Sequence, residues 1–139
     1  MSRLIVLPVS PLDQSGYGAA VADDVKRLGT QPNDLMVIYH HPNEETPEGA
    51  VLIPRPSRAA PRRYTNLLRL RTSTETTARQ LRAAIGERHV DEVFCGEVTF
   101  YRALRSLYPT KRIQVRFHNL FSLPRTRQEF RRYSIDPAF

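Results

Sequence analysis

The 139 residues are enough for one domain with a real core, and 40% hydrophobic content with 9% aromatic residues is ordinary for a globular protein, so disorder is not the default. A single cysteine, Cys95, excludes an intramolecular disulfide and a thiolate zinc cluster and favours a reducing compartment, while no apolar run reaches membrane-span or secretory length, so a soluble cytoplasmic protein is predicted. The net charge is +7, with 19 of 21 basic residues arginine, which points to an anionic partner.

The chain opens on a strand, Leu4-Ile5-Val6-Leu7, of the apolar kind that is buried on both faces, and the turn-rich stretch from Pro8 to Gly18 ends it. A helix follows to Leu28. Tyr17, Val21, Val25 and Leu28 line one face, Asp23, Asp24, Lys26 and Arg27 point elsewhere, Asp23 can pair with Arg27, and Gly29 stops the helix. Gly16 and Gly18 stand where this loop meets the helix. There the backbone can approach a ligand closely and the helix N-terminus offers amides and a positive dipole end, so the place suits a phosphate or a sugar hydroxyl; the other reading is a tight turn only.

A second strand covers Leu35 to Tyr39, a polar loop runs from His40 to Gly49, and a third strand spans Ala50 to Ile53. Arg55 to Arg71, with two prolines, is left unassigned. Ser73 and Thr74 can cap a helix from about Glu75 to Glu87, with Ala78, Leu81, Ala84 and Ile85 inward. Glu92 to Cys95 is a fourth strand, Gly96 a turn, and Glu97 to Tyr108 a helix packed through Phe100, Ala103, Leu104 and Leu107. Lys111 to Phe117 is a fifth strand, His118 to Ser122 a loop, and Pro124 to Tyr133 a final helix. This alternation predicts a single α/β domain over 1–139, a doubly wound, mainly parallel sheet with helices on both faces. Ligands of such sheets bind beyond the carboxyl ends of the strands, so Ser10–Gly18, Cys95–Glu97 and His118–Ser122 should converge.

Several chemistries can be set aside. A dinucleotide fingerprint fails because Val21 stands where its third glycine belongs and the second strand lacks a terminal acid. His40, His41, Glu44 and Glu45 read as an exposed polar loop, since neighbours in an extended stretch point opposite ways, and no metal is expected. Cys95 has no evident base beside it and reads as a packing residue. Glu97 either stabilises the N-terminus of its helix or accepts a hydrogen bond from a substrate hydroxyl. His118, with Asn119 beside it, is either structural or a site residue at the binding edge. Two stretches are basic: Arg55, Arg58, Arg62, Arg63, Arg69 and Arg71 lie in an acid-free run, and seven bases between Lys111 and Arg132 face Glu129 alone. They are either solvated faces or sites for phosphate, nucleic acid or anionic lipid.

The glycine loop Gln14-Ser15-Gly16-Tyr17-Gly18, the strand and turn Asp91-Glu92-Val93-Phe94-Cys95-Gly96, and Ile113-Gln114-Val115-Arg116-Phe117-His118-Asn119 together resemble the N-terminal half of a GT-B glycosyltransferase of the family 4 type. The order of elements matches over nearly the whole chain. The resemblance implies a Rossmann-like, acceptor-side domain of an enzyme that moves a sugar from a nucleotide-sugar donor to a saccharide or lipid-linked acceptor in cell-surface polysaccharide or glycolipid assembly. It implies no metal and no other cofactor. Gly16, with Ser15, Tyr17 and Gly18, would lie against the donor diphosphate or the transferred sugar, and His118 would contact sugar at the reaction centre. Glu97 and Asn119 would join the substrate site, and Arg55, Arg58, Arg62 and Arg63 would meet an anionic membrane surface at the inner face of the plasma membrane. The family's C-terminal donor domain is absent from these residues, so the reading is a fragment inactive by itself. The alternative is a stand-alone anion-binding module for a protein or nucleic acid, although nucleic-acid motifs are lacking.

Overall fold

The computed structural model describes residues 2–40, 44–54 and 66–116, with residues 66–73 described by their backbone alone. The strands are β1 (Arg3–Leu7), β2 (Leu35–His40), β3 (Val51–Pro54), β4 (Glu92–Cys95) and β5 (Arg112–Val115). The helices are α1 (Gly16–Leu28), α2 (Asn66–Ile85) and α3 (Tyr101–Leu107), with a 3-10 turn at Val98–Phe100 leading into α3. All four strand pairings are parallel and the order is β3-β2-β1-β4-β5, a Rossmann-like α/β sheet.

β1 lies at the centre, and Leu4, Ile5 and Val6 are wholly buried between two layers. Alternate residues of β1 serve opposite faces. Ile5 and Leu7, with Ile38 and Phe94, pack under Tyr17, Val21, Val25 and Leu28 of α1. Leu4 and Val6, with Val37, Val93 and Cys95, pack under Leu81 and Ile85 of α2 and Ala103 and Leu104 of α3. Each of these aliphatic side chains stabilises the fold by about 1.5–3 kcal/mol relative to exposure. Among the described residues, α1 therefore covers one face and α2 and α3 the other.

Arg3 ties together the sheet edge opposite the strands' carboxyl ends. Its guanidinium bonds both carboxylate oxygens of Asp34 (3.1 and 2.6 Å) and the carbonyls of Leu28 and Gly29 (2.9 and 3.0 Å). One cation thus satisfies the last carbonyls of α1, opposes its dipole and pins the start of β2. The expected Asp23–Arg27 pair forms at 3.0 Å.

Four expectations need correction. α2 begins at Asn66 and not near Glu75, so Ser73 and Thr74 sit inside the helix and not at its N-terminus; once past Pro61, no proline or glycine interrupts the chain before Gly86, which ends it. The helix placed at Glu97 begins instead as a 3-10 turn after an extended Glu97. Asp24 does not face outward: it is only 6% exposed, and Arg116 Nε lies 3.2 Å from its carboxylate across a cleft of about 370 Å³ between α1 and β5. Finally, β5 ends at Val115, short of Phe117, which lies outside the described residues together with the helix expected at 124–133.

Candidate functional site

The strand order reverses between β1 and β4, and the loops leaving these two strands meet beyond their carboxyl ends. This is the topological switch point of an open parallel sheet, where such folds bind ligands.

The first loop is held from below by Ser10, which is fully buried. The Ser10 amide donates to the Glu44 carboxylate (3.2 Å), and its hydroxyl donates to the Glu45 carbonyl (2.5 Å) and accepts from the Leu12 amide (3.1 Å). The Asp13 amide closes the turn onto the Ser10 carbonyl at 3.1 Å. These bonds fasten the loop after β1 to the loop after β2.

Ser15 then starts α1. It is extended (φ −71°, ψ 164°), and its hydroxyl accepts from the Gly18 amide at 3.2 Å while donating to the Asp13 carboxylate. The two loop glycines differ in their reasons. Both adopt ordinary helical conformation, neither with positive φ. Gly16 has nothing within 4 Å of a would-be side chain, whereas a β-carbon on Gly18 would lie 2.1 Å from the Asp13 carbonyl oxygen. Close packing of Asp13 therefore explains Gly18.

β4 delivers the other side. Its exit passes under β1, with the Gly96 amide donating to the Val6 carbonyl at 2.8 Å so tightly that a β-carbon on Gly96 would sit 2.6 Å from that oxygen. Glu97 precedes the 3-10 turn, yet its side chain makes no capping bond. It accepts instead from the Tyr17 hydroxyl at 2.9 Å. Its carboxylate thus faces the first turn of α1.

Around this pair the packing is inert. Cys95 donates its Sγ–H to the Glu97 carbonyl (2.9 Å), and full burial pushes the thiol up to about 12, so no thiolate nucleophile is present. The Tyr39 ring stacks on Phe100 (centroids 4.6 Å apart, 16° between planes), and burial pushes its hydroxyl up to about 12 despite the Thr77 hydroxyl beside it. His40 Nδ1 lies 3.4 Å from the Ile53 carbonyl oxygen, and Glu44 is turned to Ser10.

Of the residues singled out from the sequence, Ser15, Gly16, Tyr17, Gly18 and Glu97 come together here. His118, Asn119, Arg55, Arg58, Arg62 and Arg63 lie outside the described residues. The sequence reading missed Ser10, Asp13 and Glu44. An aspartate two residues before a serine N-cap was the legible signal for Asp13; the roles of Ser10 and Glu44 depend on a contact across 34 residues.

No protein-family model, curated protein or solved structure matches this chain.

Proposed function

We propose that this chain is the acceptor-side domain of a nucleotide-sugar glycosyltransferase of the GT-B type, working in the cytoplasm with a separate donor-binding domain on a saccharide or lipid-linked acceptor. The observation that carries the reading is the Tyr17–Glu97 bond across the switch point, which puts a phenol and a carboxylate side by side at the ligand edge of a parallel sheet. A carboxylate has about four acceptor positions, and one tyrosine uses one of them, so Glu97 can also receive an acceptor hydroxyl and orient it for attack on a donor sugar. Neutral hydroxyls suit this pair because the bond to an ionised carboxylate is stronger than one between neutral groups. In this reading His118 contacts sugar at the reaction centre, and the arginines at 55, 58, 62 and 63 meet an anionic membrane surface.

The test is amide-shift mapping of the isotope-labelled chain against a panel of neutral mono- and oligosaccharides. The reading expects shifts at Tyr17, Gly96 and Glu97 that Glu97→Ala abolishes. If no saccharide moves these amides and the chain instead binds nucleic acid with steep salt dependence, the acceptor-domain reading falls and the anion-binding module replaces it.

A further inference from the structure

We infer that the cleft between α1 and β5 is a second binding site, which takes a small organic anion by its carboxylate or phosphate end, with Arg116 as the residue that grips it. The inference is independent of the acceptor-domain reading, since it uses none of the residues around Tyr17 and Glu97.

The cleft, of about 370 Å³, is of small-molecule size. α1 contributes Asp24, Arg27 and Leu28 to its walls, and the sheet contributes Phe94, Gln114 and Arg116. Ile113 and Val115 pack with the core under α2 and α3, so the alternation of β5 turns Gln114 to the opposite face, beside its register partner Phe94. A parallel strand buried on both faces reads as a continuous apolar run, whereas β5 alternates and leaves Gln114 exposed here. This side of the strand is built for polar contact.

The arginines decide the charge of the ligand. Asp24 and Ser10 are the two buried polar side chains among the described residues, and Asp24 stands 3.2 Å from Arg116 Nε. That nitrogen is cut off from solvent, yet it has no hydrogen-bond partner, so the contact is an ion pair without an aligned bond. A buried donor left without an acceptor is costly, and an acceptor from outside the chain removes the cost. The Arg116 side chain as a whole is 42% exposed, so Asp24 anchors the Nε side from within while the rest of the fork is open to an oxyanion. Arg27 pairs only with Asp23 among the described residues, and both are exposed; such a surface pair is weak and leaves the guanidinium able to turn to a ligand. Two arginines against one acid give the lining a net positive charge, and Phe94 with Leu28 offers an apolar wall to the body of the anion. The guanidinium fork fits carboxylate and phosphate alike.

The experiment follows the Leu28, Phe94, Gln114 and Arg116 amides and the Arg116 Nε–H of the isotope-labelled chain at low ionic strength. Three probes with one ring are titrated: benzoate, phenyl phosphate and neutral benzamide. Saturable shifts at these groups are expected with at least one of the two anions, and whichever binds more tightly names the head group. Benzamide is expected to leave them unmoved. Arg116→Gln should weaken anion binding by about tenfold or more, and Arg27→Gln by less. No saturable shift with either anion, benzamide binding as tightly as the anions, or an unchanged midpoint in Arg116→Gln overturns the inference. If Arg116→Gln loses its folded amide spectrum, Arg116→Lys keeps a cation beside Asp24 without the fork; weaker binding is expected there, and an equal midpoint overturns the inference. The acceptor-domain reading fails separately, through absent saccharide shifts at Tyr17 and Glu97.

Discussion

The Tyr17 hydroxyl donates to Glu97 Oε2 at 2.9 Å, joining the first turn of α1 to the loop that leaves β4 across 80 residues of sequence. The two side chains are each part-exposed, and the bond brackets the switch point of the sheet. It is the contact through which α1 and β4 hold one edge of the candidate site.

Tyr17→Phe removes this bond and keeps the ring's packing against the α1 face of the core. The expected loss is about 1 kcal/mol in urea unfolding. Glu97→Gln keeps an acceptor and should cost less, and the Tyr17→Phe/Glu97→Ala cycle should show a coupling of about 1 kcal/mol. A coupling near zero would mean that the two side chains hold their positions independently.

Gly18 and Gly16 give opposite expectations although they sit two residues apart. Gly18→Ala forces a β-carbon into the Asp13 carbonyl, where 2.1 Å separates them, and only backbone movement relieves the clash. A loss of about 1–3 kcal/mol is expected. Gly16→Ala meets nothing within 4 Å and gains helix propensity, so its unfolding midpoint should be unchanged or slightly higher. Calorimetric melting of the two variants side by side decides the matter, and equal midpoints would contradict the packing explanation.

How much of this was legible follows from range. The inward face of α1 and the burial of β1 are local patterns of period 3.6 and of continuous apolar residues, and Tyr17, Val21, Val25 and Leu28 lie where the spacing puts them. α2 shows the limit of local signals: Ser73 and Thr74 look like caps, but the helix runs through them because nothing upstream of them, back to Asn66, breaks it. Asp24 was misread for a different reason. A carboxylate on a helix is expected in water, and it is Arg116, just past the end of β5 and 92 positions away, that brings a cation to this buried acid. At the site, Glu97 stood out because it follows a strand and a glycine, while its partner could not be read, since sheet order and not sequence distance brings Tyr17 to it.

Cys95 provides a test of the core next to the site. Its thiol is fully buried, is held up at about 12 by that burial, and donates to the Glu97 carbonyl. In native buffer near pH 8 it should resist iodoacetamide and disulfide exchange, and react only as fast as the molecule opens. Labelling rates that rise with urea in step with unfolding are expected. Rapid labelling without denaturant would show that the β1–β4 seam opens locally.

The Arg3–Asp34 pair sets an acid limit on stability. Burial alone would push the Asp34 carboxyl up, but the bonds from Arg3 and from the Gln31 amide outweigh it and hold the group below the ordinary carboxylate value. A carboxyl depressed in the folded state binds its proton more weakly there than in the unfolded chain, so its stabilisation is fully present above the unfolded value of about 3.9. That stabilisation fades as pH falls through the lower folded value. Arg3→Ala leaves the Asp34 carboxylate, whose side chain is 4% exposed, without its cation and the carbonyls of Leu28 and Gly29 without their donor. A loss of about 2–4 kcal/mol at pH 7 is expected. Asp34→Asn should also weaken the fold at pH 7, but its unfolding free energy should fall less steeply than the wild type's below pH 4. Some acid sensitivity should remain, because Asp91, bonded by the Ser2 amide and His89, is likewise held low. Urea unfolding from pH 7 to pH 2.5 reads this directly, and identical pH slopes for wild type and Asp34→Asn would remove Asp34 from the account.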